Sequence, residues 1–235
     1  MTLPVAILAG GLATRLHPLT ITVPKALIEV AGRPFIEWQL KYLKNQGIQR
    51  VVLCLGYLNE QIQAYLGTGE QYGLELLYSL DGASPLGTGG ALKRALPLLG
   101  EAFFVLYGDS YLPISFQELE NAFYHHKQPA LMTVFKNKNQ WDTSNVWFKD
   151  GILLEYNKHS PRIEMNYIDY GLSILSPIML SDYTKDKPFD LATIYHNASL
   201  RGTMLGHEVF SRFYEIGTPQ GLNEATIFFS KGQEP

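Results

Sequence analysis

Val5-Ala-Ile-Leu-Ala-Gly-Gly-Leu-Ala-Thr-Arg-Leu-His-Pro-Leu-Thr20, with Pro24-Lys25-Ala26-Leu27 close behind, is the stretch around which the chain is organised. Val5 to Leu8 is a short apolar run that predicts a buried strand. It breaks into Ala9, Gly10, Gly11 and Ala13, small residues that let a ligand approach the backbone. Thr14 and Arg15 come next, and Lys25 follows. Free backbone N–H groups and two cations suit a polyphosphate. A bare glycine turn with solvated charges is the alternative, and the added Thr-Arg and Pro-Lys argue against it. The spacing is neither G-x-x-x-x-G-K-[ST] nor G-x-G-x-x-G, so this is not a P-loop or a dinucleotide fingerprint.

The 235 residues are 46% hydrophobic and 17% charged, enough for a sizeable core in one domain. A net charge of −3 argues against a broad nucleic-acid footprint, so any anion site is local. The single cysteine, Cys54, lies in the apolar run Val51–Leu55 and reads as a small core residue. No leader pattern precedes Leu3 and no apolar run approaches membrane-spanning length, so the expected location is the cytoplasm, with no membrane partner. The six histidines form no zinc pattern.

Moving outward, strands are predicted at Val51–Leu55, Leu74–Tyr78 and Ala102–Tyr107, with intervening helices after Phe35 and after Asn59, which is expected to cap a helix carrying Ile62, Tyr65 and Leu66. This β, loop, α, β order argues for a mainly parallel, doubly wound sheet. Leu86-Gly-Thr-Gly-Gly-Ala-Leu92 is a glycine-rich turn opening a helix; it fits either a base or phosphate at the backbone or a flexible helix entry. Asp109 follows the strand Ala102–Tyr107, where open α/β sheets bind ligands, and could hold Mg²⁺ or merely cap a loop. Helices are expected over Phe116–His126, Phe189–Leu200 and Gln220–Phe229, and strands over Ala130–Phe135, Leu172–Leu175 and Glu208–Tyr214. Lys149-Asp150-Gly151 reads as a hairpin turn between Val146–Phe148 and Ile152–Tyr156. Asp169 sits among apolar neighbours and needs a partner if buried, a sugar hydroxyl or a backbone N–H. Glu215 is a second candidate metal carboxylate, or an ordinary strand-end acid.

Four of these segments together resemble the motifs of sugar-1-phosphate nucleotidyltransferases. They are Leu8–Thr20 with Pro24-Lys25, Leu86-Gly-Thr-Gly-Gly90, Tyr107-Gly-Asp-Ser110 and Tyr214-Glu-Ile-Gly-Thr-Pro219, and the likeness runs from about Leu3 to Phe229. It implies the nucleotide-diphospho-sugar transferase fold, a Rossmann-like three-layer α/β/α arrangement with a mixed, mainly parallel sheet. It further implies a single nucleotidyltransferase domain over 1–235, a sugar-side layer mainly from 136–215, and no C-terminal β-helix domain. The implied reaction joins an NTP and a sugar 1-phosphate to give an NDP-sugar and pyrophosphate, with Mg²⁺. Arg15 and Lys25 would be catalytic. Leu8, Ala9, Gly10, Gly11, Ala13, Thr14, Gly87 and Thr88 would bind the nucleotide, Asp109 and Glu215 the metal, and Lys158, Asp169 and Gly171 the sugar. Two residues depart from the pattern: Ala13 stands where glycine is usual and Glu215 where aspartate is usual.

The segment Gly108–Tyr111 leans toward the mannose- or heptose-1-phosphate guanylyltransferases. Thymidylyl-, uridylyl- and cytidylyltransferases of the same family are alternatives. A non-catalytic nucleotide-sugar-binding regulatory protein is the alternative of another class, opposed by intact Arg15, Lys25 and Asp109. The apolar, aromatic second half could supply a homo-oligomer interface.

Overall fold

Val5 and Ile7 point into one apolar layer and Ala6 into another, an alternation repeated along each central strand of the computed structural model, which describes residues 2–232. The strands are β1 (Val5–Leu8), β2 (Glu29–Val30), β3 (Arg33–Pro34), β4 (Arg50–Leu55), β5 (Glu75–Leu80), β6 (Phe103–Tyr107), β7 (Ser110–Tyr111), β8 (Ala130–Lys136), β9 (Val146–Lys149), β10 (Ile152–Tyr156), β11 (Tyr167–Leu175), β12 (Met204–Val209) and β13 (Tyr214–Glu215). The helices are α1 (Phe35–Asn45), α2 (Asn59–Leu66), α3 (Gly87–Ala95), α4 (Phe116–His126), α5 (Leu191–Leu200) and α6 (Pro219–Ser230).

The main sheet pairs β12-β8-β11-β6-β1-β4-β5, and β11 runs against the other strands of that order. The β9–β10 hairpin joins β11 through Tyr167 and Val146, so one mixed, mainly parallel sheet crosses both halves of the chain. Both faces of the central strands are covered, which is why their sequences are continuous apolar runs. α1, α2 and α4 pack Ile36, Leu40, Ile62, Phe116 and Phe123 on one face. On the other, α3 and α5 pack Leu92, Ala95, Leu191, Ile194 and Ala198. A third cluster fixes α6, where Phe229 stacks on Trp38 at 4.3 Å between centroids and packs with Tyr111 and Ile216. Among the described residues no helix is long and apolar enough to cross a membrane.

The chain builds β4 and β5 on one side of β1, then returns to set β6 on the other. A crevice opens where that direction reverses, at the carboxyl ends of β1 and β6. There Gly108 donates its N–H to the Leu8 carbonyl at 3.0 Å, so the loops after the two strands start side by side.

Most expected elements are found, with four differences. Asn59 does not cap α2: Leu58, in a left-handed conformation, precedes the helix, and the Asn59 amide donates to the Gly56 carbonyl at 2.9 Å. Tyr65 of that helix is exposed rather than core-facing, its hydroxyl donating to Glu37 at 2.8 Å. α5 starts at Leu191 because the Asp190 carboxylate accepts the Ala192 N–H. The late strand Glu208–Tyr214 is instead β12, ending at Val209, and the short β13, separated by an exposed Phe210. In the hairpin, Asp150 and Gly151 take φ of 52° and 79°, the left-handed pair that a two-residue turn requires.

The second glycine loop has a structural role that its sequence concealed. Phe189 lies across the first turn of α3, and a Cβ on Gly89 would meet its ring at 2.2 Å. A helix-interior Gly→Ala change ordinarily gains about 1 kcal/mol. Here the clash should reverse the sign. Gly89→Ala is expected to destabilise the protein by about 1–3 kcal/mol, read as a lowered Tm; a raised Tm would contradict this packing.

Candidate functional site

Two clefts meet at the carboxyl ends of β1 and β6. The first, about 280 Å³, is lined by Leu8 to Gly11, Lys25, Gly87 and Thr88; the second, about 710 Å³, by Arg15, Asp169, Gly171 and Glu215. Tyr107 and Asp109 border both.

The loop after β1 is suited to an anion. The N–H groups of Gly10, Gly11, Leu12 and Ala13 donate to no protein acceptor among the described residues. Ala13 takes φ 50° and ψ 42°, the left-handed region that favours glycine, and its carbonyl accepts the Thr20 hydroxyl at 2.8 Å. The unusual alanine is thus held in a glycine-like conformation by the turn that presents Arg15.

Lys25 enters from a one-turn segment after Pro24, fixed by Ile28 N–H donating to its carbonyl at 3.1 Å. Its Nζ meets Asp109 Oδ2 at 2.6 Å. The Asp109 turn is held in turn by Gln39 of α1, whose Nε2 donates to the carbonyls of Tyr107 at 3.0 Å and Ser110 at 2.8 Å. Gln39 is buried, and nothing in its helical spacing distinguished it from a core position.

Glu215 comes to the same place from β13, which pairs with β7 beside Asp109. A Cβ on Gly217 would lie 2.6 Å from Glu215 Oε2, 3.1 Å from Arg15 Nη2 and 3.2 Å from Asp109 Oδ2. The two carboxylates and the guanidinium therefore converge over a residue without a side chain. The Glu215 oxygens accept the Gly217 N–H and the Thr218 hydroxyl. No group of three or more His, Cys, Asp or Glu gathers among the described residues. Two carboxylates that leave positions for phosphate oxygens and water are the donor set that suits Mg²⁺, so the residues present fit that ion.

On the far side, Asp169 and Gly171 lie on β11 at a register shift, with Gly171 at φ 100°. The backbone N–H foreseen as a partner for Asp169 is that of Gly171, donating to Oδ1 at 3.0 Å. Burial pushes the Asp169 carboxyl up to about 6, opposed by that N–H and by the charge of Lys158. Lys158 itself lines neither cleft; it is exposed and pairs with Asp190 at 3.7 Å. Thr88 borders the first cleft, but its hydroxyl is spent on the cap of α5, donating to Asp190 at 2.8 Å and accepting the Leu191 N–H at 2.9 Å.

Several lining residues escaped the sequence reading, among them Arg212, Glu224, Trp141 and Asp81. Arg212 pairs with Glu224 and stacks on Trp141 with its guanidinium 3.6 Å from the ring centroid, joining the 137–145 loop to α6 at the mouth of the second cleft. Asp81 borders the first cleft. It follows an apolar strand as Asp109 does, and that shared position was the available signal.

The Asp169 carboxyl protonates at about 6 in the fold and near 3.9 in an unfolded chain. Its burial is harmless below the lower value and becomes destabilising as pH rises through the upper one. Asp169→Asn keeps an acceptor for Gly171. It should raise Tm at pH 7.5 by more than at pH 4, and equal shifts at the two pH values would contradict a buried charge there.

The sequence profile of the nucleotidyl transferase family matches residues 5–145. N-acetylmuramate alpha-1-phosphate uridylyltransferase of Neisseria meningitidis serogroup B is 44% identical over 111 residues, 47% of this chain and 48% of that protein. This match thus spans about half the length of the relative. D-glycero-alpha-D-manno-heptose 1-phosphate guanylyltransferase of Campylobacter jejuni is 29% identical over 221 residues, 91% of this chain and 94% of that protein. The crystal structure of HddC from Yersinia pseudotuberculosis complexed with GMP-PN superposes with a TM-score of 0.81 at 25% identity, covering 97% of this chain and all of that one. A profile that begins at β1 and runs through the Asp109 turn covers both loops of the crevice, and on that match the chain belongs to the nucleotidyl transferase family.

Proposed function

We propose that the protein transfers a nucleotidyl group from an NTP to a sugar 1-phosphate, releasing pyrophosphate and forming an NDP-sugar. The observation that carries this reading is the junction of two clefts at Asp109 with the Lys25 ammonium beside it. One cleft has the free N–H groups and glycine walls that suit a nucleoside triphosphate. The other has the acids and backbone turns that suit a hydroxylated ring.

The chemistry needs little from side chains beyond charge and placement. A sugar phosphate with a second pKa of about 6 is largely dianionic near neutrality, so its oxygen attacks without a general base. The obstacle is repulsion between two polyanions, together with in-line alignment at the α-phosphate. The N–H groups of Gly10 to Ala13 receive the triphosphate, with Thr14 beside them. Arg15 steadies the departing pyrophosphate. Lys25, at the junction, offsets charge on the reacting phosphate. Asp109 and Glu215 would hold Mg²⁺, which when bound supplies further charge neutralisation on phosphate oxygens. Asp169 and Gly171 face the sugar. Lys158 reaches this side only through its charge. The layer from 136–215 serves the sugar within one nucleotidyltransferase unit, and the need for an NTP fits the cytoplasm.

For substrates, a guanylyltransferase acting on mannose or heptose 1-phosphate is favoured by the relative whose similarity covers nearly the whole chain. A uridylyltransferase is the second reading, favoured by the higher identity to the Neisseria protein over about half of each chain.

Pyrophosphate release should be measured with each NTP against a panel of sugar 1-phosphates. At least one pair should turn over, and Lys25→Ala and Asp109→Ala should each cut that turnover by about 10²-fold or more with Tm retained. Tight NDP-sugar binding without turnover of any pair would leave the regulatory-protein reading instead.

A further inference from the structure

The loop between β8 and β9, residues 137–145, is built from the inside. Asn137 and Ser144, 1% and 2% exposed, form its polar centre. Asn137 Nδ2 donates to the Asp142 carbonyl at 2.6 Å and to Ser144 Oγ at 3.1 Å, and Asn137 Oδ1 accepts the Trp141 N–H at 3.1 Å. Asn139 closes the loop: its N–H donates to Ser144 Oγ at 3.0 Å, and its Oδ1 accepts the Ser144 N–H at 2.8 Å. This framework presents an indole. Trp141 lines the second cleft and is 36% exposed. The Arg212 guanidinium pins its ring at 3.6 Å. Arg212 also lies 4.9 Å over Tyr214 and pairs with Glu224, and Tyr214 stacks on Phe228 of α6 at 3.9 Å. The column is kept although Arg212 Nε is buried with no acceptor among the described residues, a cost that an apolar filler would avoid. A ring fixed in this way loses little further freedom when a ligand covers it.

We propose that Trp141 is the platform of the sugar subsite, its indole packing against the C–H face of the sugar ring in the sugar 1-phosphate and in the NDP-sugar formed from it. A pyranose has an apolar face of C–H groups and a rim of hydroxyls. The second cleft offers both kinds of partner: a flat apolar ring at Trp141 and a carboxylate acceptor at Asp169. An indole that served only to pack Arg212 would leave sugar binding untouched.

This inference rests on the sugar reading of the second cleft, so its test uses binding without turnover. GDP-mannose, UDP-glucose and UDP-N-acetylglucosamine are titrated, each against its parent NDP. Trp38 and Trp147, the other two tryptophans, line neither cleft, so a change in indole fluorescence reports Trp141. At least one NDP-sugar should change that fluorescence where its NDP does not, and Trp141→Phe should abolish the change. By calorimetry, Trp141→Ala should weaken binding of that NDP-sugar by about 10-fold or more and leave its NDP within about 2-fold, while Trp141→Phe, which keeps a ring, should stay within about 3-fold for both. The unchanged NDP affinity also shows that the variants are folded. Equal weakening of NDP-sugar and NDP, unchanged NDP-sugar affinity in Trp141→Ala, or a fluorescence change that survives in Trp141→Phe would overturn the assignment and leave the transferase reading standing. The expected pattern without pyrophosphate release from any substrate pair would uphold Trp141 and defeat the transferase reading. No binding of any NDP-sugar would defeat both.

Discussion

The ion pair between Lys25 and Asp109 joins the two loops that define the site. Its ends are 20% and 22% exposed, so water screens it less than a surface pair. Asp109 ends the turn after β6 and Lys25 follows the loop after β1, strands that are neighbours in the sheet. Gln39 anchors the aspartate side through two carbonyls, and the Pro24 turn anchors the lysine side. Without ligand, each charge satisfies the other. On the proposed function, a phosphate arriving between the clefts would give the ammonium a second anion and leave the carboxylate available for a cation. The contact thus keeps two costly charges paired at the junction of the two clefts.

The division of labour follows from topology. Parallel strands bring the amino-terminal loops to one end of the sheet, and the resulting cleft is walled by glycine, alanine and free N–H groups. β11 runs the other way, so a residue near its start, Asp169, arrives at that same end from the opposite direction. The reversal of this strand lets the second half of the chain face the first across Asp109. β13 then returns Glu215 to the junction, where Gly217 leaves room for it, Arg15 and Asp109 together.

Sequence patterns revealed the sheet and the junction because both rest on local signals: apolar runs, glycine loops and acids just past strand ends. They were silent where a role depends on distant chain. Gly89 fitted either ligand backbone or a flexible helix entry, and its neighbour is Phe189, a hundred residues away. Gln39 looked like one more position on an amphipathic helix, although its amide holds the Asp109 turn. The strand expected over Glu208–Tyr214 failed because β-rich composition continues past Val209, while the pairing partner changes from β8 to β7. Lys158 was matched by order along the chain, and its exposed side chain turns toward Asp190, lining neither cleft.

In the reaction proposed for the two clefts that meet at Lys25, no protein nucleophile is called upon and the sugar phosphate attacks the α-phosphate directly. The stereochemical course at that phosphorus tests this most closely. With a single diastereomer of the α-thio-NTP and the accepted sugar 1-phosphate, the NDP-sugar should form with inversion of configuration. Retention would contradict direct attack, because it requires two displacements through a nucleotidyl group carried on the protein.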